Sequence, residues 1–207
     1  MIIVHHGAFG LAVRQTLVAQ LPGARVMTLD EARHHAWDGE SGEFVALALS
    51  ARPTIALQRL SDRFQAARLA HSMVVLSDHL LMCGPLVIPG AGPCLRCALR
   101  RFASMVEKPR TARQDQNLNA FIEAHPDSEL PGHLPTLVEL AALKLLQHGR
   151  CRAGDAGRLS ALSLVDSRTV ESRVIALHGC TCRSLPRASL EERWLGALRP
   201  ALDGLLQ

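Results

Sequence analysis

The chain has 207 residues, 48% of them hydrophobic and 20% charged, enough to bury one substantial core and to make a single domain the default. No stretch approaches the roughly twenty apolar residues of a membrane span, and Met1-Ile2-Ile3-Val4 runs directly into His5-His6 without the charged start and long apolar core of a signal peptide; no membrane association and a cytoplasmic location are expected. A net charge of +4 comes with no Tyr, five Phe and two Trp, too few rings among the cations to stack bases, which argues against a nucleic-acid module.

Ile2-Ile3-Val4 predicts a strand, His5 to Gly10 a turn, and Leu11, Val13, Leu17, Val18 and Leu21 a helix that stops at Pro22-Gly23. A second strand follows from Ala24 to Leu29. Strand, glycine turn and helix is how a nucleotide-binding α/β unit opens. Here Gly7 and Gly10 are spaced as the end of a Gly-x-Gly-x-x-Gly loop, but His5 stands where the first glycine belongs. That glycine makes the tight turn that lets backbone amides approach phosphate, so its absence argues against ATP binding. Asp30 lies after the second strand, where a ribose-binding acid could sit, and without the full loop it reads as a cap or loop residue.

Asp30 to Glu43 is polar and is expected to be an exposed loop; His34 and His35, being adjacent, do not face one metal ion. Phe44 to Leu49 is the unbroken apolar run of a strand at the centre of a parallel sheet. Thr54 to Leu69 reads as a helix with Leu57, Leu60, Phe64 and Ala67 on its inner face. Two apolar runs follow, Ser72 to Ser77 and Leu80 to Ile88. Pro89-Gly90-Ala91-Gly92-Pro93 then turns into a helix from Cys94 to about Met105, whose Arg96, Arg100 and Arg101 offer either a solvated face or an anion contact.

Glu107 to Gln116 is charged and poor in large apolar residues, placing a mobile crossover over residues 107–132, with a short helix near Asn117 to Ala124. Pro135 to Gln147 is the clearest helix, with Leu137, Leu140, Ala141 and Leu145 at helical spacing and Gly149 after it. Arg158 to Val165 and Val170 to Leu177 form two strands around Asp166-Ser167-Arg168-Thr169, and a last amphipathic helix carries Trp194, Leu195, Leu198 and Leu202. The organisation expected is one α/β domain over 1–184, a mostly parallel Rossmann-like sheet flanked by helices, followed by a C-terminal helix over 185–207. No Gly-x-Ser-x-Gly or other hydrolase motif is present, and lone histidines such as His71, His79 and His133 read as surface or satisfied core residues.

The chemistry-bearing residues are cysteines. Cys94 and Cys97 form a Cys-x-x-Cys pair at a helix start, Cys180 and Cys182 a Cys-x-Cys pair much later, and together they read as a tetrathiolate zinc site. Four thiolates leave no open position, so the expected Zn²⁺ is structural and holds chain segments together. The competing reading is thiol-disulfide exchange, because a helix N-terminus lowers a thiol pKa. Against it stand the lack of an aromatic residue before Cys94, the long stretch of chain preceding the motif, and the unexplained second pair. Cys83 and Cys151 are expected to be buried or incidental.

Gly84-Pro85, Pro89-Gly90 through Pro93-Cys94-Leu95-Arg96-Cys97 with Arg100-Arg101, the helix Pro135 to Leu146, and His178-Gly179-Cys180-Thr181-Cys182 together resemble the ThiF-like fold of ubiquitin-activating-type enzymes. More narrowly, they resemble the ThiF-like partner proteins of YcaO cyclodehydratases, which make thiazoles and oxazoles in ribosomal peptides. The resemblance implies a ThiF-like domain over 1–184, zinc on Cys94, Cys97, Cys180 and Cys182, and a scaffold that presents substrate to a YcaO-type enzyme acting on a precursor peptide; homodimerisation is a family-level expectation. Adenylating members use a full glycine loop, a ribose-binding acid, an arginine finger and a magnesium-holding aspartate. These have no convincing counterpart here, so a chain non-catalytic on its own is expected, with no catalytic or ATP-binding residues assigned. The small winged-helix-like module that binds leader peptides in the family is expected to be absent ahead of Met1. An ATP-dependent adenylating or sulfur-transfer enzyme, and less so a redox protein, are the alternatives.

Overall fold

The computed structural model describes residues 1–37, 42–50, 54–77, 79–105 and 133–182, with Asn117 and Phe121. The crossover expected over 107–132, those two positions apart, and the C-terminal helix expected over 185–207 lie outside the described residues.

β1 (Ile2–His6) leads directly into α1 (Gly7–Gln20); β2 (Arg25–Thr28), α2 (Leu29–His34), β3 (Phe44–Leu49), α3 (Thr54–Ala66) and β4 (Ala70–Leu76) follow. β5 (Leu80–Cys83), α4 (Leu95–Met105), α5 (Pro135–Gly149), β6 (Arg158–Ser163) and β7 (Thr169–Arg173) complete the described elements. The strands join in one seven-stranded sheet of order β2-β1-β3-β4-β5-β6-β7. β1 pairs in parallel with β2 and β3, and β3 with β4. From β4 onward every pairing is antiparallel. The mostly parallel sheet expected is therefore parallel in one half only. The reason is the short link between Leu76 and Leu80, where the Ser77 amide and hydroxyl both donate to the Leu80 carbonyl, at 2.9 and 3.1 Å; so tight a turn returns the chain alongside itself, whereas a parallel pairing needs a crossover.

Period-2 alternation sorts the central strands between two cores. Ile2 and Val4 of β1 and Val45, Leu47 and Leu49 of β3 pack with Leu57, Leu60 and Phe64 of α3 and with Leu29 and Ala32 of α2. Ile3, Ala46 and Ala48 face the other way, onto Phe9, Val13 and Leu17 of α1 and Val138, Ala141, Ala142 and Leu145 of α5. Helices covering both faces are why β3 is apolar at all six positions and wholly buried.

The polar loop expected from Asp30 to Glu43 begins instead as α2. Thr28 caps it: its hydroxyl accepts from the Glu31 amide at 3.2 Å while the Glu31 carboxylate accepts from the Thr28 amide at 2.7 Å, a reciprocal capping box that starts a short helix. The apolar run from Leu80 to Ile88 is a strand only to Cys83. Gly84, at φ +109, has no room for a side chain, since a Cβ there would lie 2.5 Å from the Arg158 carbonyl oxygen.

Candidate metal centre

The turn before α4 and the chain after β7 bring four sulfurs together. Gly90 adopts φ +79, and the Ala91 amide bonds the Ile88 carbonyl at 3.0 Å, closing the turn that delivers Cys94 to the start of α4. Cys97 sits in the first turn of the helix. From β7, Val174 is buried and donates to the Gly157 carbonyl at 2.8 Å, and the Ile175 carbonyl accepts from Arg101 Nε at 2.7 Å. A second turn follows, with Gly179 at φ +73 and the Cys180 amide on the Leu177 carbonyl at 3.2 Å. It sets Cys180 and Cys182 against the first pair.

Cys94 Sγ lies 3.7 Å from Cys97 Sγ and 3.7 Å from Cys180 Sγ, and Cys97 Sγ lies 3.6 Å from Cys182 Sγ. All four sulfurs fall within 4.8 Å of one another, and the group could hold a metal ion. A tetrahedron of thiolates at about 2.3 Å from a zinc ion has edges of about 3.8 Å, so the three short edges fit that ion closely. All six cysteines are free thiols. Around the cluster lie Ala98, Phe102, Leu159, Val174 and Leu177, an apolar shell that would leave bare thiolates poorly solvated.

The thiols differ in character. Burial holds Cys94 and Cys182 above the ordinary thiol range. Burial also raises Cys180, but hydrogen bonds from the Cys182 amide and from the neighbouring thiols outweigh it and bring Cys180 down to about 7. Cys97 is fully buried, and the Leu177 amide donates to its sulfur at 3.3 Å. A cleft of about 420 Å³, bordered by Asp62, Gln65 and Gly90, opens onto Cys94, Cys180 and Cys182. The full burial of Cys97 keeps it from serving as an attacking sulfur, which must be accessible, and the convergence of both pairs is what one shared ion requires.

The α4 arginines are partly committed to structure. Arg96 pairs with Asp62 of α3 at 2.9 Å, and Arg101 ties α4 to the thiol loop through Ile175. The glycines after β1 serve packing. Gly7, at φ +71, would place a Cβ 2.3 Å from Ser50 Oγ, and Gly10 would place one 2.3 Å from the Ala48 carbonyl oxygen, so both let α1 lie close on β3. Ser50 Oγ accepts the Phe9 amide at 3.0 Å, occupying a donor in the first turn of α1. Asp30 is exposed in the first turn of α2, with Arg33 at 3.8 Å. His71 is a satisfied core residue: its Nε2 lies 2.8 Å from Ser61 Oγ and its Nδ1 3.0 Å from the Leu69 carbonyl oxygen. Cys83 is buried, and its desolvated thiol is raised to about 11. A second buried pair, His148 Nδ1 and Ser72 Oγ at 2.7 Å, has no sequence signature because its members lie 76 positions apart.

The fold and the site define a mixed α/β protein carrying a four-cysteine cluster. No family profile matches the sequence, nor does any curated protein. Among solved structures, the heterocyclase TruD superposes with a TM-score of 0.56 at 14% identity, over 93% of this chain and 28% of that one. The E. coli microcin synthetase McbBCD complex gives 0.60 at 12% identity, over 87% of this chain and 67% of that one. E. coli MccB with succinimide gives 0.53 at 10% identity, over 88% and 65%. At such identities the likeness is one of fold, and the chain spans little more than a quarter of the TruD chain.

Proposed function

We propose that this chain is a zinc-stabilised, ThiF-like scaffold of a complex that modifies ribosomal peptides, presenting a precursor peptide to a YcaO-type enzyme without catalysing the reaction itself. The observation that carries this reading is the shared fold with a heterocyclase and with a microcin synthetase complex, the latter also solved with pro-MccB17 bound. Fold alone does not fix function, so the site must agree with it. Four sulfurs spaced for a tetrahedral ion suit a structural zinc on Cys94, Cys97, Cys180 and Cys182, which would pin α4 to the chain after β7. The lack of a first loop glycine, and the use of Gly7, Gly10 and Ser50 to seat α1 on β3, weigh against nucleotide chemistry at the end of β1.

Two measurements on the purified chain test the reading. Metal analysis should give one zinc per chain, and ATP with magnesium should leave the Tm unchanged, because a ligand stabilises a native state only by binding it. A rise in Tm with ATP would favour the adenylating alternative. Reconstitution with a YcaO-type enzyme and its precursor peptide should then give azoline formation that depends on the chain.

A further inference from the structure

A second cleft, of about 170 Å³, opens beside the first residues of β3 and β4, where α5 ends. Phe44, Ala70, Leu86 and Ile88 line it with apolar surface. His148 lines it too, although its residue is only 8% exposed. Its Nδ1 is turned to Ser72 Oγ at 2.7 Å, which leaves Nε2 on the other edge of the ring. No described residue hydrogen-bonds Nε2.

The tautomer follows from Ser72. That residue is 1% exposed, and among the described residues its hydroxyl has no acceptor other than His148 Nδ1. A buried hydroxyl proton without an acceptor is costly, so the hydroxyl donates to Nδ1 and the ring proton resides on Nε2. Burial, with the Lys144 ammonium second, lowers the His148 pKa to about 4 and keeps the ring neutral. His148, one of the residues lining the cleft, thus keeps its Nε2–H as a neutral donor not used by Ser72. Arg68 borders it as an exposed cation with no ion-pair partner among the described residues. The other polar groups are already engaged: Glu43 pairs with Arg25, and the Cys151 thiol donates to the Gln147 carbonyl at 3.3 Å. The carbonyls of Gln147 and His148, which would repel an anion at the end of α5, accept the amides of Arg150 and Cys151.

We propose that this cleft binds a small carboxylic acid with a short apolar body, either a free acid or the C-terminal residue of a peptide. The carboxylate would take the Nε2–H of His148 and the guanidinium of Arg68, and the apolar body would lie against Phe44, Leu86 and Ile88. The cleft is small and open on one side, and its apolar wall is made by a few side chains, which suits an acid with a short branched body. The proposal is independent of the thiol cluster and of the complex proposed above.

The test is a titration of the ¹⁵N-labelled full chain with isovalerate, N-acetyl-leucine and N-acetyl-leucinamide, following the His148 ring nitrogens by NMR. Isovalerate should shift Nε2 saturably with a Kd of about 1 mM, and N-acetyl-leucinamide, which lacks the carboxylate, should not. Binding of isovalerate alone assigns a free-acid site; equal or tighter binding of N-acetyl-leucine assigns a chain end. Arg68→Gln, at an exposed position that leaves the core intact, should weaken binding about tenfold. His148→Gln, read by isothermal titration, should do the same. The proposal fails if neither acid shifts Nε2, if the amide shifts it equally, or if Arg68→Gln leaves the affinity unchanged.

Discussion

The backbone amide of Leu177 donates to the sulfur of Cys97 across 3.3 Å, joining the first turn of α4 to the segment that follows β7. Cys97 is fully buried, whereas Cys180 stands at the cleft and is only partly buried. The four sulfurs therefore stand differently in the fold, and substitution should separate them.

Cys97→Ser should lose the metal and destabilise the chain by at least about 3 kcal/mol, because metal binding and folding are coupled and a polar hydroxyl is left in an apolar shell. Cys180→Ser should also lower metal affinity, yet cost less stability, since water reaches the vacated position through the cleft. Metal content and urea unfolding of both variants check this. Full zinc and unchanged unfolding in Cys97→Ser would remove that residue from the ligand set.

His71 gives a pH prediction with a definite sign. Burial lowers its pKa from 6.5 to about 4, so the folded chain keeps the ring neutral while the unfolded chain protonates it. The unfolded state then binds more protons between pH 6.5 and 4, and stability falls as pH falls through that window. The full effect is about 3 kcal/mol. Loss of the proposed metal from its thiolates would also weaken the fold in acid, so the readout is a difference: His71→Gln, which can still bond Ser61, should show a shallower decline than wild type over the same range. Identical slopes would mean that His71 does not titrate as its burial requires.

Much of the architecture is legible in the sequence because its signals are local. Phe44 to Leu49 announces a strand covered on both faces, and Leu137, Ala141 and Leu145 announce the inner face of α5. The two cysteine pairs point to one site because each is close in sequence and each lies beside glycine turns. α2 is missed on periodicity because six residues are too few to show it; its signal is Thr28-x-x-Glu31, a capping box that only becomes decisive once Leu29 and Ala32 are seen to be buried. The change from parallel to antiparallel pairing is implicit in the brevity of the Leu76 to Leu80 link. The pairing of Ser72 with His148 has no such signal, since two polar residues on distant elements meet only through packing.

The capping box can be tested alone. Thr28→Ala removes the acceptor for the Glu31 amide in an exposed setting and should cost about 1 kcal/mol, measured by chemical denaturation. Glu31→Gln keeps a side-chain oxygen for the Thr28 amide and should cost less. A larger loss in Glu31→Gln than in Thr28→Ala would indicate that the Glu31 charge, rather than the reciprocal bonds, starts the helix.

The glycines after β1 separate packing from nucleotide binding. At Gly10 an added Cβ meets the Ala48 carbonyl oxygen at 2.3 Å, and because that atom is backbone in a central strand it cannot swing aside. Gly10→Ala must lift α1 off the sheet, and a cost of roughly 2–3 kcal/mol is expected from overpacking of this kind. At Gly23 nothing lies within 4 Å of the added Cβ, so Gly23→Ala should be neutral or stabilise by a few tenths of a kcal/mol through the unfolded state. Thermal unfolding with and without ATP then distinguishes the roles. If Gly10 only seats the helix, the Tm falls equally in both conditions; a wild-type Tm that rises with ATP, and a Gly10→Ala variant that loses that rise, would show that the glycine turn holds phosphate despite His5.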